Sequence, residues 1–546
     1  MRKILSLSLI IASALILSNC TQQPKEELSE MQKKVNEFAE VELTSDISAL
    51  SANQKEMLGY LFDAAKIMND IYWQEAYGNK SELLDSIKCE AAKEFAIINY
   101  GPWERLNNNT AFIDGFGAKP AGANFYPTDM TEEEFSALDN EDKTSLYTII
   151  KRDENGNLQV IPYHEAFKEE TNKAAELIKK AAELAEDTGF KKYLELRVEA
   201  LLTDNYRESD FAWLEMTDNM IDFVVGPIEN YEDALYGYKA AHESFILIKD
   251  KEWSEKLAKY TSLLPDLQKM LPVADKYKAE TPGVSGNQLN AYDVVFYQGD
   301  CNAGSKTIAI NLPNDEIVRN TKGSRKLQLK NAMKAKFDKI IVPISNVLID
   351  ESQRKNVSFD AFFSCVMFHE VGHGLGLSYL VNDKNTTVRD ALKSSYTSIE
   401  EGKADILALN IITYLYEQGE LGEVDLMDYY VTFMTSIFRS SRFGVASSHG
   451  KANMMRFYYF EEKGAFTRNP ETGTYKVNFE KMKSAAKELA NKIIVIQGDG
   501  DIETAKAWIE KDGRIKEELQ KDLDRINALG IPRDIRFKQG KTVLGL

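Results

Sequence analysis

Apolar residues recur along most of this chain at the three- and four-residue spacing of a helix. Between Asn53 and about Phe95, residues Met57, Tyr60, Leu61 and Ala64 share one face, which predicts two helices broken near Gly78-Asn79. The Ala- and Lys-rich run Thr171 to Glu186, followed by Leu194, Val198, Leu201 and Leu202, makes His164 to Phe223 helical as well. Another helix is expected at about Ser254 to Tyr277, and from Phe359 to Leu529 the pattern is helical almost throughout. Strand signals concentrate between Thr281 and Asn314, where Val294-Val295-Phe296 and Thr307-Ile308-Ala309-Ile310 are bounded by glycine and proline. The tail Ile535 to Leu546 is a candidate returning strand. From Asn99 to Thr128 the density of Gly, Pro, Asn and aromatic residues excludes a regular helix and predicts an ordered loop, a candidate cleft wall. The fold class is α+β, mainly helical, with a helical C-terminal half.

The N-terminus follows a different pattern. Arg2 and Lys3 precede an apolar run, Ile4 to Leu17, that ends at Leu17-Ser18-Asn19-Cys20. This is the order of a secretory signal, and a small-residue site ending in Cys resembles the lipobox of bacterial lipoproteins. Residues 1–19 are read as the signal and Cys20 as the lipidated residue, which makes the chain a membrane-anchored protein of a bacterial cell envelope. Residues 20–45, polar and acidic, read as a tether. Removing Arg2 and Lys3 takes the formal net charge from −18 to −20, and so strongly acidic a chain is a poor partner for nucleic acid. The remaining cysteines, Cys89, Cys301 and Cys365, have no CxxC spacing and indicate no disulfide framework.

There are only five histidines, which makes the position of each informative. Two occur in His369-Glu370-Val371-Gly372-His373, behind the apolar run that begins at Ala361. On a helix, positions i and i+4 lie one turn apart on the same face, so both imidazoles can reach one zinc ion while Glu370 polarises a bound water. Gly372, Gly374 and Gly376 are poor helix formers, so the helix should end soon after His373. A catalytic zinc takes three protein ligands, and the metzincin choice fails because Tyr379 stands where its third histidine would be. The helical pattern of Ser398 to Asn410, SIEEGKADILALN, offers Glu401 as third ligand, with Asp405 four residues on as an acceptor for a ligand imidazole.

With these motifs the chain resembles the dipeptidyl peptidase III family, whose zinc residues lie on a His-Glu helix and on an EExxAE/D helix, matched here by Glu400-Glu401-Gly402-Lys403-Ala404-Asp405. The resemblance implies one zinc per chain on His369, His373 and Glu401, with Glu400 and Asp405 orienting the imidazoles. One departure is plain: the family's eukaryotic members carry HExxxH, and this chain has HExxH. GPIENY, Gly226 to Tyr231, resembles the segment whose tyrosine donates to the scissile carbonyl, which falls on Tyr231. Ser447 to Ala452 resembles the helix whose histidine stabilises the tetrahedral intermediate, here His449. Glu229 and Asn331 are carried over as contacts to the substrate N-terminus, Asn331 from the segment Asn311 to Asn331 that resembles the stretch along the substrate strand.

By the same resemblance the fold is two lobes around a wide cleft, with zinc on the helical lobe. Residues 46–250 and 290–350 are then expected in the lower lobe, 251–289 and 351–520 in the upper, and 521–546 returning to the lower. The expected chemistry is hydrolysis of peptides with release of N-terminal dipeptides, Glu370 acting as general base. Two rivals remain: another gluzincin-type peptidase, aminopeptidase or endopeptidase, since Glu401 to Asp405 also reads ExxxD, and a peptide-binding lipoprotein that keeps zinc but has little turnover.

Overall fold

The computed structural model describes residues 28–279 and 288–546. The signal 1–19, Cys20 and the first residues of the expected strand-rich region, from Thr281, lie outside them. Residues 28–45 are not a tether. Ser29 caps a helix α1 (Glu30–Asn36), which leads into strand β1 (Phe38–Glu42). Val35 and Phe38 are buried against Phe95 and Ile98. β1 runs parallel to a strand near the C-terminus, with Phe38 opposite Asp534.

Helix α2 (Ala52–Ala76) starts at a capping box made by Ser51 and Gln54 and stops before Gly78, whose φ of 127° suits glycine. Two shorter helices, rather than one, follow it before Asn99. α2 buries Leu58, Leu61, Phe62, Ala65 and Met68 against a sheet and against helix α3 (Lys168–Leu184), on which helix α4 (Thr188–Thr203) packs in turn.

That sheet is the frame of the lower lobe. Its strands are β2 (Ile221–Glu229), β3 (Ala241–Asp250), β4 (Gln288–Gly299), β5 (Ala309–Leu312) and β6 (Arg325–Leu329), in the spatial order β2-β3-β4-β6-β5. All neighbours are antiparallel except β4 and β6. β2 and β3 were not expected as strands. Both are continuously buried runs, covered on both faces, so they lack the alternation that marks a half-exposed strand. β5 is an edge strand, with Leu327 of β6 opposite its Ile310 on one side only.

The upper lobe is helical: α5 (Phe359–His373), α6 (Tyr396–Glu417), α7 (Leu426–Ser441), α8 (Ser448–Glu462) and α9 (Phe479–Asp499) share one core. Leu257, Leu267 and Leu271 pack into that core. So do Met333, Ile340, Ile341, Ile344 and Leu348, so the chain crosses between lobes at Ala332 to Met333 and not near residue 350 as expected. The reason is packing: these apolar residues recur at helical spacing and fit the helical core, not the sheet. Strand β7 (Asp534–Lys538) pairs with β1, but Leu523, Ile526, Ile531 and Ile535 pack in the upper core, so of the expected return of 521–546 only Leu544 is buried in the lower one.

Candidate metal centre

The zinc-site helices are held together by packing before any metal is considered. α5 has apolar residues all round and is buried on most sides, with Ser358 capping its N-terminus and His373 as its last residue. It lies against α6 at Gly372, where an added Cβ would sit 2.8 Å from the Ala404 carbonyl oxygen and 3.1 Å from its Cα. That close approach explains a glycine inside the motif.

His369 and His373 face one another with their Nε2 atoms 3.1 Å apart. Glu401 points its Oε2 between them, at 3.4 Å and 3.8 Å. The other ring nitrogens are taken. His369 Nδ1 meets Asp405 Oδ1 at 2.7 Å, and His373 Nδ1 meets Glu400 Oε1 at 2.9 Å. Both Nε2 atoms are therefore oriented inward by carboxylates, as ligand imidazoles require. These partners are fixed in turn: Arg456 donates to Asp405 at 2.5 Å, and Lys403 and Gln497 reach Glu400 at 2.9 Å and 2.8 Å.

A cation fits this arrangement. The ligand atoms of His369, His373 and Glu401 lie within 4.8 Å of one another. Glu401 Oε2 is buried without a hydrogen bond of good geometry, although His449 Nδ1 stands 3.1 Å away. Two imidazoles and one carboxylate form the set of a catalytic zinc. Burial would lower His369, but the Asp405 charge and hydrogen bond outweigh it and push the imidazole up to about 10. Burial likewise opposes ionisation of Glu401, yet the neighbouring His369 and His449 rings hold it down at about 2.

Glu370 follows the first ligand and is held from across the cleft: Lys326 of β6 lies 3.3 Å from its Oε2 and donates to its backbone carbonyl at 2.8 Å. A cavity of about 340 Å³ opens here, with Ile308 and Ala309 on one wall and His369, Glu370, Asp405 and His449 on the other. His449 lies in the first turn of α8, its ring centroid 6.2 Å from that of His369.

Tyr231, just beyond β2, is 79% exposed. Its hydroxyl is raised above the ordinary tyrosine range, first by the Glu229 charge, with Glu401 among the further charges that reach it. The turn is anchored beneath: buried Glu232 accepts from Arg105 at 2.6 Å and 3.1 Å and pairs with Lys119 at 2.8 Å. Asp233 accepts from the Tyr126 hydroxyl at 2.7 Å. Arg105, Lys119 and Tyr126 all come from the Asn99 to Thr128 loop, so that loop buttresses the tyrosine. Glu229 ends β2 at a bulge, and burial raises its carboxyl above the usual range while Asn314 bonds to it.

Asn331 does not join this group. Its Oδ1 accepts from the Val294 and Ala332 amides and its Nδ2 donates to the Val294 and Thr44 carbonyls, so backbone consumes all of its bonding capacity. The asparagine beside Glu229 is Asn314, whose Nδ2 donates to the Ile228 carbonyl at 3.0 Å. Sequence reasoning also passed over Lys326 and Arg456, which carry no motif.

A His-His-Glu set beside a glutamate with no metal role, inside a cleft, defines a zinc peptidase site. The family model of peptidase family M49 matches residues 127–420. The chain belongs to peptidase family M49, and that family is zinc-dependent. Nudix hydrolase 3 of Arabidopsis thaliana is 32% identical, over 95% of this chain and 75% of that protein. Dipeptidyl peptidase 3 of Dictyostelium discoideum is 24% identical, over 57% of this chain and 45% of that one. Among solved structures, DPP III from Caldithrix abyssi superposes with a TM-score of 0.89 at 40% identity, covering 93% of this chain and 98% of its own. Dipeptidyl-peptidase III from Corallococcus sp. strain EGB gives 0.79 at 34% identity, over 93% and 96%.

Proposed function

We propose that this zinc peptidase releases dipeptides from the free N-termini of short peptides, with Glu370 as general base. The observation that carries the reading is the convergence of His369, His373 and Glu401 beside Glu370 in a cavity walled by β5. A peptide laid along the open edge of β5 can pair with its backbone. Glu229 and Asn314 at one end of that strand supply a carboxylate and an amide for an ammonium group, and such an end-stop favours an exopeptidase. Bound zinc would supply Lewis acidity, lowering the pKa of a water and polarising the scissile carbonyl. Glu370 takes the proton from the attacking water and returns it to the leaving amine. Tyr231 and His449 donate hydrogen bonds to the oxygen that becomes negative, and Asp405 and Glu400 keep the ligand rings aimed.

The test is hydrolysis of peptides with free and acetylated N-termini by the zinc-loaded protein, beside Glu370→Gln and Tyr231→Phe. Dipeptide release from free N-termini alone is expected, with Glu370→Gln keeping zinc and losing turnover. Tyr231→Phe should lower kcat about 10²- to 10³-fold with KM little changed. Cleavage of acetylated peptides inside the chain would replace this reading with an endopeptidase.

The same reading extends to location. A lipid on Cys20 would hold the enzyme in a bacterial envelope, supported by the order Arg2-Lys3, apolar Ile4 to Leu17 and Leu17-Ser18-Asn19-Cys20. Among the described residues no helix is long and apolar enough to cross a membrane. Radiolabelled palmitate should enter the wild type and not Cys20→Ala; equal labelling would refute the anchor.

A further inference from the structure

Two arginines line the cavity of the zinc site, and they differ in what they meet. Arg456 is held through both terminal nitrogens, Nη1 on Asp405 and Nη2 on Asn453 Oδ1, both at 2.5 Å, although its buried Nε, like that of Arg439, is unpartnered. Arg439, on α7, is not. Among the described residues no carboxylate lies within 4.0 Å of its guanidinium, and its buried Nε has no hydrogen-bond partner. The Phe443 ring, 5.7 Å away, is its recorded contact. The buried anion whose charge reaches it, Asp534, is already held by Lys336 at 2.9 Å and by Ser305 at 2.6 Å. A guanidinium does not shed its proton, so an arginine left in this position carries a desolvated charge with no hydrogen-bonded counterion.

The position of Arg439 along the cleft says what the missing partner is. The cavity it lines includes Ile308 and Ala309, the entrance to β5, and not Leu312 or Asn314 at the exit. At the exit stand Asn314 and Glu229. The strand itself spans about 13 Å at 3.3 Å per residue. An extended chain running antiparallel to β5, with its ammonium at the Glu229 end, directs its carboxyl end past Ala309. The edge thus has a carboxylate at one end and an unpaired guanidinium at the other, opposite in sign to the two ends of a peptide zwitterion.

We infer that Arg439 binds the free C-terminal carboxylate of a short peptide substrate on the leaving-group side of the scissile bond. The planar fork of arginine matches a carboxylate with two parallel hydrogen bonds. The apolar neighbours Phe362, Val366 and Ile437 line the same cavity and exclude competing water. The assignment rests on the proposed dipeptide release, because it uses Glu229 as the N-terminal end. It makes the enzyme a reader of both ends of its substrate, and so of peptide length.

The experiment compares peptides of four to eight residues as free acids and as C-terminal carboxamides, with the zinc-loaded full chain, Arg439→Gln and Arg439→Lys. The wild type should prefer the acid by about 10- to 100-fold in kcat/KM at one length, chiefly through KM. Arg439→Gln should bring that ratio to about one, and Arg439→Lys should keep part of it. Equal use of acid and amide by the wild type at every length overturns the assignment without recourse to any variant, as does an unchanged ratio in Arg439→Gln. A dipeptidyl arylamide, which has no residue beyond the scissile bond, separates the two readings. Its hydrolysis without an acid preference refutes Arg439 alone, and wild-type failure on it and on every peptide refutes the peptidase reading.

Discussion

Replacing Gly372 with alanine tests whether the α5 to α6 contact sets the metal geometry. The added Cβ would stand 2.8 Å from the Ala404 carbonyl oxygen, where ordinary contact begins at 3.4 Å. The obstacle is helix backbone, which cannot rotate away as a side chain does, so the two helices must separate by roughly 0.6 Å at this point. α5 carries both imidazoles and α6 carries Glu401, so the separation opens the ligand set directly. Zinc sites tolerate only about ±0.2 Å in ligand distance. Overpacking of this kind costs about 1 to 3 kcal/mol of stability. Zinc affinity should fall by about 10- to 100-fold, as for other disturbances of the residues that orient ligands. Competition against a chelator of known affinity measures the second quantity, and denaturant unfolding of the metal-free protein the first. An alanine variant with wild-type zinc affinity would refute the claim that this contact sets the ligand spacing, even if its stability dropped.

Asp405→Asn keeps the shape of the side chain but removes the charge between His369 and Arg456, leaving the guanidinium without its counterion. Zinc affinity should fall about 10- to 100-fold in the same chelator assay, and an unchanged value would deny Asp405 its orienting role. Burial raises the Glu229 carboxyl above 4.5, so its attraction for a substrate ammonium is present above that raised pKa and is lost as pH falls through it. KM for peptides with free N-termini should therefore climb on the acid side sooner than an ordinary glutamate would dictate. Glu229→Gln should flatten that limb, and a flat wild-type KM across the acid range would remove Glu229 from the site.

The metal set was legible because its geometry is local: positions i and i+4 meet on any helix, and Glu400, Glu401 and Asp405 lie within two turns of one another. Helices with an apolar stripe were legible for the same reason. What failed depended on distant partners. Residues 28–45 look polar in isolation, and Phe38 acquires its meaning only from Phe95 and from a strand near the other end of the chain. β2 and β3, buried on both faces, carry no alternation to read. Asn331 shared a segment with the cleft, but β4 runs beside it, and the Val294 backbone claims its amide. Lys326, Arg439 and Arg456 sit on ordinary lattice positions of a strand and two helices, where nothing in the order of residues announces that the cleft is opposite.

The pairing of β1 with β7 joins residues 496 positions apart. During synthesis at about 5 to 20 residues per second, the first strand to emerge waits roughly 25 to 100 s for its mate. Most of both cores is made in that interval, so this pairing is a late contact that ties one end of the described residues to the other. A chain without Asp534 to Lys538 would possess its zinc ligands and most of its core, yet Phe38 to Glu42 would lose the strand it lies beside.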